Sequence, residues 1–215
     1  TLSVTQQSAT TGQITLQFNA LISHIYQIQQ RINNGTYAPI DTIASQSGLT
    51  TLTFNNLNTT SNQYCYRLMA FDLCAETSTV SDEICSTIIT ATALNNQNQV
   101  NWSNYNTVSP DLNNYSLYRN SFLLTTTTTN NYTDNNIKCG TKYCYQIVST
   151  LSTLTSNGSP ETSYSATVCA TAISTNIPPA VKNLNSTISG NNIKLVWDIP
   201  SGINISSFQI LRAEN

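Results

Sequence analysis

The chain has 215 residues, of which 8% are charged, and its formal net charge at pH 7 is −2. Its eight lysine and arginine residues are scattered singly, so no basic stripe is available to neutralise a phosphate backbone, which excludes nucleic acid as a partner. No apolar run approaches the roughly 20 residues that cross a bilayer as a helix. There is no signal peptide and the first residue is not methionine, so we expect a portion of a longer chain.

The cysteine content points to an oxidising compartment. Six cysteines recur at similar spacings. The chain has one histidine, and no two cysteines are separated by two intervening residues as in the C-x-x-C motif of metal sites. That combination is poor for a metal site and typical of structural disulfides in extracellular proteins. We therefore expect no metal and predict that the protein lies outside the cytoplasm.

Residues 1–87 predict seven short β-strands separated by polar turns. Apolar and polar residues alternate with period two, most clearly at Gln13–Asn19, and no window has helical periodicity. Seven such strands are typical of a β-sandwich of about 100 residues. The predicted strands are Leu2–Thr5, Gln13–Asn19, His24–Ile32, Ile40–Ser45, Leu52–Asn55, Gln63–Phe71 and Val80–Ser86.

Residues 88–172 repeat this plan. Val100 and Trp102 alternate on the predicted second strand, and Tyr115–Arg119 forms the third. The threonine run Thr125–Thr129 suits a short exposed edge strand and its turn. The sequence therefore predicts a second sandwich of the same kind.

Residues 173–215 predict a stiff linker, Ile177–Ala180 with its two prolines, followed by the N-terminal part of a third unit. Trp197 repeats the position of Trp102, and Phe208–Arg212 repeats that of Tyr115–Arg119. This segment holds about half of a sandwich. We expect its inner face to be exposed, or to be completed by residues outside this sequence.

Two cysteine-containing hairpins form the predicted skeleton. Cys65 and Cys144 each lie between two tyrosines, and each is followed by a polar gap and one more cysteine. If Cys144 bonds to Cys169, the hairpin centre falls at residues 156–158, where Asn-Gly is a strong turn signal. By the same reasoning Cys65 bonds to Cys85, with a centre at residues 74–75.

These features resemble the fibronectin type III family. Trp102 and Trp197, with Phe18 in the corresponding place, match its core tryptophan, and the run Ile137–Tyr143 resembles its "L-x-P-G-T-x-Y" tyrosine corner, with cysteine in the place of proline. Residues 57–64 are a looser version, one residue longer. The resemblance implies an all-β chain of tandem fibronectin type III (immunoglobulin-like) antiparallel sandwiches, in which the hydroxyls of Tyr64 and Tyr143 bond to the backbone upstream.

In such a sandwich Cys74 lies in a loop at the N-terminal pole of the first unit, and Cys139 at the C-terminal pole of the second. In an extended array these poles are on the order of 60 Å apart, whereas a disulfide needs Cα atoms within about 7 Å. We therefore expect Cys74 and Cys139 not to pair with each other. Our hypothesis is that each bridges to a neighbouring domain of the longer chain; the alternative is a free or buried thiol.

A narrower resemblance concerns lineage. Tyr-Cys-Tyr followed by Asp72-Leu73-Cys74 and Cys85 is similar to repeats in large surface proteins of Bacteroidetes. Many of those carry a gliding-motility-associated C-terminal signal and are exported by type IX secretion, but that signal is absent here. Asp41-Thr42-Ile43 resembles the O-glycosylation motif of the same bacteria. Secretion machinery is accordingly an implied partner.

No cluster of catalytic groups is evident. His24 is the one histidine, without an acidic neighbour in sequence. The acids Asp72, Glu76, Asp82 and Glu83 lack regular calcium-ligand spacing and are interpreted as solvating a loop. Arg119 and Arg212 are interpreted as covering a sheet face, and Asp111, Asp134 and Asp198 as turn or cap residues. We predict no catalytic residue and no cofactor.

The predicted function is that of a non-catalytic extracellular stalk, adhesin segment or surface fibre, whose partners are neighbouring domains of the same chain. One alternative is a module that binds surface glycans or proteins. A saccharide site needs an exposed aromatic side chain, and Tyr105 is the candidate in the loop Ser103–Asn114. A second alternative is an accessory region of a secreted hydrolase.

Overall fold

The computed structural model describes residues 1–8, 10–44, 47–72, 74, 77–105, 111–155, 158–176, 179–201, 205 and 207–212. Within these ranges the regular secondary structure consists of β-strands, which confirms the predicted all-β class. The chain divides into two compact units, Thr1–Ser174 and Thr175–Asn215. The first unit holds both predicted sandwiches, which we call the first repeat (residues 1–87) and the second repeat (residues 88–172).

The first repeat forms two sheets. Its strands are β1 Leu2–Gln6, β2 Gly12–Ala20, β3 His24–Ile32, β4 Ala38–Ile43, β5 Gly48–Leu57, β6 Tyr64–Asp72, β7 Thr77–Val80 and β8 Ile84–Cys85. One sheet has the order β1–β2–β5, and the other has the order β4–β3–β6–β7 with β8 also paired to β6. The region of the last predicted strand, Val80–Ser86, is divided between β7 and β8.

The second repeat has the same plan. Its strands are β9 Ile89–Leu94, β10 Gln97–Trp102, β11 Leu112–Arg119, β12 Phe122–Thr127, β13 Asn131–Asp134, β14 Lys142–Leu154, β15 Pro160–Tyr164 and β16 Val168–Thr171. The sheet β13–β10–β9 lies opposite β12–β11–β14–β15, and β16 also pairs with β14. In both repeats, therefore, strands one, two and five oppose strands three, four, six and seven, which is the strand order of a fibronectin type III sandwich.

Aromatic rings meet across the two sheets of each sandwich. Phe18 of β2 lies 5.5 Å from Tyr26 of β3, and Trp102 of β10 lies 5.7 Å from Tyr115 of β11, both edge to face. Such contacts add to the burial of apolar surface, which is the main stabilising term. The fully buried aliphatic residues follow the predicted alternation and include Leu2, Ile14, Ile28, Val100, Leu117 and Ile147.

The two repeats share one sheet. β15 of the second repeat pairs in parallel with β1 of the first, with Leu2 opposite Ser163 and Ser3 opposite Tyr164. The contact is possible because β15 is the outermost strand of the second repeat's sheet, so its outer edge is available to pair with β1. The result is an eight-stranded sheet with the path β12–β11–β14–β15–β1–β2–β5, in which β16, paired to β14, is the eighth strand.

The second unit contains a single described hairpin of β17 Lys182–Ser189 and β18 Asn192–Asp198. Trp197 lies 5.4 Å from Phe208, edge to face. The predicted strand Phe208–Arg212 is wrong: these residues have no strand structure, since no neighbouring strand pairs with them among the described residues of this unit. Most apolar side chains of the unit are exposed, as expected for part of a sandwich; among them are Leu184, Ile188, Ile193, Val196, Ile210 and Leu211.

Candidate functional site

Tyr105 lies at the junction of the two repeats, not on the surface. Its side chain is 8% exposed, so the expectation of an exposed aromatic for ligand contact is wrong. Its hydroxyl accepts the backbone N–H of Cys85 at 2.8 Å, and its own N–H donates to the Tyr115 hydroxyl at 2.8 Å. Burial raises the pKa of the Tyr105 phenol above its usual range, so the hydroxyl stays neutral. The ring is buried because the short segment after β10 runs against the first repeat, where the Asn104 carbonyl also accepts the Gln63 amide.

Further hydrogen bonds cross this junction. The Ser163 hydroxyl donates to the Cys85 carbonyl at 2.7 Å, so both backbone groups of Cys85 are bonded by the second repeat. The Gln63 side-chain amide donates across the junction to the carbonyl of Asn104 at 3.2 Å, and within its own repeat to that of Ser86 at 3.1 Å. Because these groups are largely buried, losing a partner costs more than losing a surface hydrogen bond.

The structure contains two disulfides, at the pairings that the hairpins predict. Cys65 is bonded to Cys85 and Cys144 to Cys169, with a Cα–Cα distance of 4.0 Å in each case. They differ in environment: Cys65 and Cys85 are fully buried, whereas Cys169 is exposed. The predicted turn centre is described only at Gly158, whose φ is +77°, because Ser156 and Asn157 lie outside the described residues.

Cys74 and Cys139 are both exposed and belong to neither of these bonds. Their bridging to neighbouring domains stays a prediction.

Both tyrosine corners have the predicted hydrogen bond. The Tyr64 hydroxyl accepts the N–H of Asn58 at 3.0 Å, and the Tyr143 hydroxyl accepts that of Lys138 at 2.9 Å. Each bond fixes the loop that enters the sixth strand of its repeat. These tyrosines, like the buried Trp102, are structural residues.

A buried ion pair lies beside the first disulfide. The Arg31 guanidinium donates to both carboxylate oxygens of Glu83 at 3.1 Å and lies 3.9 Å from the Cys85 sulfur. The Tyr37 hydroxyl also donates to Glu83, and the Arg67 guanidinium lies 3.9 Å from the centre of the Tyr37 ring. The interpretation of Glu83 as an acid that solvates a loop is therefore wrong. Sequence reasoning missed the pair because 52 residues separate the partners.

This cluster is not a metal site as it stands. Ligand-type atoms of Cys65, Glu83 and Cys85 lie within 4.8 Å of one another. Both sulfurs are in the disulfide, however, so neither is a thiolate that could coordinate a metal.

The second repeat has a different ion pair. Arg119 donates to the two carboxylate oxygens of Asp134 at 3.0 and 2.8 Å, and Asp134 also accepts the Tyr145 hydroxyl at 2.8 Å. Asp134 is 1% exposed. It is therefore a buried partner of Arg119, and it also has the predicted turn role, because its Oδ1 accepts the N–H of Asn136 at 3.1 Å.

A cleft of about 920 Å³ opens between β2 of the first repeat and the β14–β15 hairpin of the second. Glu161 and the amino group of Thr1 both line it. Burial raises the pKa of Glu161, with a smaller lowering from the nearby Thr1 ammonium, and burial lowers the pKa of that amino group. The cleft thus holds a partly desolvated carboxylate, that of Glu161.

His24 has a local partner: its Nδ1 lies 2.9 Å from the Ile22 carbonyl oxygen. Glu76 lies outside the described residues, and Asp72 is described by its backbone alone. No helix in the described part of the chain is long and apolar enough to span a membrane.

No protein-family model matches the sequence, and no curated protein matches it. Among solved structures, the central fibronectin-III array of RIM-binding protein is similar over 92% of this chain and 77% of its own, with 11% identity and a TM-score of 0.33. The CbhA fibronectin(III)-like modules of Clostridium thermocellum are similar over 77% of this chain and 93% of their own, with 7% identity and a TM-score of 0.22.

The strand order and the corner hydrogen bonds define the class of the first unit. It is a pair of fibronectin type III-like sandwiches that share one sheet and carry one disulfide each. Buried hydrogen bonds from Tyr105, Ser163 and Gln63 join the two sandwiches at their junction.

Proposed function

We propose that this chain is a non-catalytic structural segment of an extracellular protein, in which the two fused sandwiches act as a stiff spacer. The observation that carries the proposal is the parallel pairing of β1 with β15. A flexible linker between two domains leaves them free to turn against each other, whereas a shared sheet and buried hydrogen bonds resist that motion. A stalk, an adhesin or a surface fibre needs this property.

The disulfides support an extracellular setting. Each one closes a loop of 20 or 25 residues and joins neighbouring strands of a hairpin. In the chain-entropy treatment such a loop contributes on the order of 3 kcal/mol to stability. Bonds of this kind persist in oxidising surroundings and are rare in the cytosol.

The partners and the export route of this chain are proposed from its resemblance to surface-protein repeats of Bacteroidetes. We propose neighbouring domains of the same chain as the partners, and export by type IX secretion as the route. Cys74 and Cys139 are both exposed, which suits bridges to such domains. Thr42 belongs to Asp41-Thr42-Ile43, which resembles an O-glycosylation motif. It is exposed on the edge strand β4, which suits the attachment of a glycan.

Three measurements on the native full-length protein test this proposal. Labelling of intact cells with a membrane-impermeant amine reagent should modify the protein, and non-reducing peptide mapping should recover both disulfides. Electron microscopy of the purified protein should show a string of modules. An unlabelled protein with reduced cysteines, or a compact particle without modules, would contradict the structural and extracellular assignment.

A further inference from the structure

A groove of about 310 Å³ lies on the second repeat, on the face of the shared sheet that points away from the sandwich core. We call it the outer groove; its lining includes Tyr118, Asn120, Gln146, Val148, Tyr164 and Thr167. No residue that lines the outer groove carries a charge. The groups that the groove offers to a ligand are therefore phenol rings, amides and hydroxyls.

The sheet register places the two tyrosines on opposite sides of the groove. Tyr118 of β11 is opposite Gln146 of β14, and Val148 of β14 is opposite Tyr164 of β15. These side chains share one face, since the intervening Ile147 is fully buried on the other. Neighbouring strands are about 4.8 Å apart and the two tyrosines are also offset by two residues along the strands, so their Cα atoms stand about 12 Å apart across the groove. Val148 is buried and forms an apolar floor.

The polar groups of the groove are held in fixed orientations. The Gln146 amide donates to the Ser165 carbonyl at 3.0 Å, and the Asn120 side-chain oxygen accepts the N–H of Cys144 at 2.9 Å. The Cys144–Cys169 disulfide fixes the neighbouring strands. Side chains that are ordered before a ligand arrives lose less conformational entropy when it binds.

The first repeat closes the corresponding face of its own sheet. Arg67 follows Cys65 by two residues, as Gln146 follows Cys144, and Arg67 packs against the Tyr37 ring. Tyr37 comes from the five-residue connection between β3 and β4. In the second repeat the connection between β11 and β12 is the two-residue turn Asn120–Ser121, with φ values of 50° and 70°, and it leaves the face open.

We propose that the outer groove binds a neutral oligosaccharide. Aromatic rings pack against the C–H faces of sugar rings, and amides and hydroxyls match sugar hydroxyls as donors and acceptors. The uncharged lining favours a neutral ligand over an anionic one, for which a paired cation is the usual device. This activity is distinct from the structural role, although Tyr164 belongs to both: its backbone lies opposite Ser3 in the shared sheet and its side chain lines the groove.

Affinity electrophoresis of the 215-residue chain in native gels tests the proposal. The gels contain hydroxyethylcellulose, xylan or galactomannan as neutral probes, and alginate as an anionic one. The variants are Tyr118→Ala, Tyr164→Ala and Tyr164→Phe. Phe122→Ala is the matched control, because Phe122 is a strongly exposed aromatic on β12 outside the groove.

We expect at least one neutral polysaccharide to retard the chain. Tyr118→Ala and Tyr164→Ala should each weaken that retardation about tenfold, whereas Tyr164→Phe and Phe122→Ala should retain most of it. Three results would overturn the proposal: no retardation by any neutral probe, retardation by alginate alone, or retardation that both alanine variants keep. Circular dichroism of each variant separates loss of the site from loss of the fold.

Discussion

Tyr105 and Cys85 belong to different sandwiches, yet the phenol oxygen of one lies 2.8 Å from the backbone nitrogen of the other. Cys85 is at the same time a member of the buried disulfide of the first repeat. The covalent bond that stabilises one sandwich and the hydrogen bonds that join it to the next therefore meet at a single residue. A substitution at the junction should therefore change the free energy of unfolding of the whole first unit.

Tyr105→Phe should destabilise the first unit by about 1–3 kcal/mol, because it leaves the buried N–H of Cys85 without its acceptor. Chemical denaturation followed by tryptophan fluorescence measures the effect. Tyr164→Phe removes a hydroxyl from an exposed tyrosine and should change the free energy of unfolding little. Equal stability of the two variants would mean that the junction hydrogen bond does not contribute.

The two disulfides should differ in their resistance to reduction. Cys65 and Cys85 are fully buried, whereas Cys169 is exposed, so a thiolate reagent reaches the second bond more readily. Under mild dithiothreitol, alkylation and mass spectrometry should find Cys144 and Cys169 modified first. Simultaneous modification of all four cysteines would show that the native state does not shield the first bond. Replacing Cys144 and Cys169 together by serine should cost on the order of 3 kcal/mol.

Glu83→Ala should destabilise the first repeat by about 3–5 kcal/mol, because it leaves the Arg31 guanidinium buried without its carboxylate. The double variant Arg31→Met, Glu83→Leu removes both charges and should be less destabilised than the single variant. Urea denaturation of both variants provides the comparison. A double variant at least as unstable as Glu83→Ala would contradict this interpretation of the pair.

Glu161 should give the first unit a pH-dependent stability. Burial raises its pKa in the folded state above the ordinary value of 4.5, against an opposing effect of the Thr1 ammonium and a reinforcing one of Asp82. Glu161 therefore adds to the free energy of unfolding in full below pH 4.5, where it is protonated in both states. That stabilisation is lost as the pH rises through its folded-state pKa. Glu161→Gln should unfold at a higher temperature than the parent at pH 7, and the gain should vanish near pH 4.

Thermal unfolding across this pH range measures the difference between the two chains. Thr162→Ser, a change on the same strand, alters no ionisable group and should give a difference that does not depend on pH. A gain for Glu161→Gln that is the same at pH 4 and pH 7 would contradict the assignment to the buried carboxylate.

The local structure follows from the sequence because its causes are local. Alternation of apolar residues predicts strands such as His24–Ile32, which the structure forms with the same bounds. The spacing of Cys144 and Cys169 about a turn signal indicates their pairing, and the two residues lie opposite each other in the β14–β16 register. Period-two alternation and hairpin symmetry both act over a few residues.

The junction could not be predicted in the same way. The pairing of β1 with β15 joins residues about 160 positions apart and depends on which edge strands of the two repeats meet, which no local pattern encodes. Tyr105 stands among polar loop residues, which is the pattern of an exposed side chain, and the burial comes from the neighbouring repeat. The Arg31–Glu83 pair is likewise brought together by the fold alone.

Backbone ¹⁵N relaxation by NMR tests the central claim most directly, which is that the two repeats tumble as one body. Amides in β3 and β6 report on the first repeat, and amides in β10 and β11 report on the second. We predict that a single rotational diffusion tensor fits both sets. Two separate correlation times, one for each repeat, would show that the shared sheet does not hold the sandwiches together, and would contradict the proposed role as a stiff spacer.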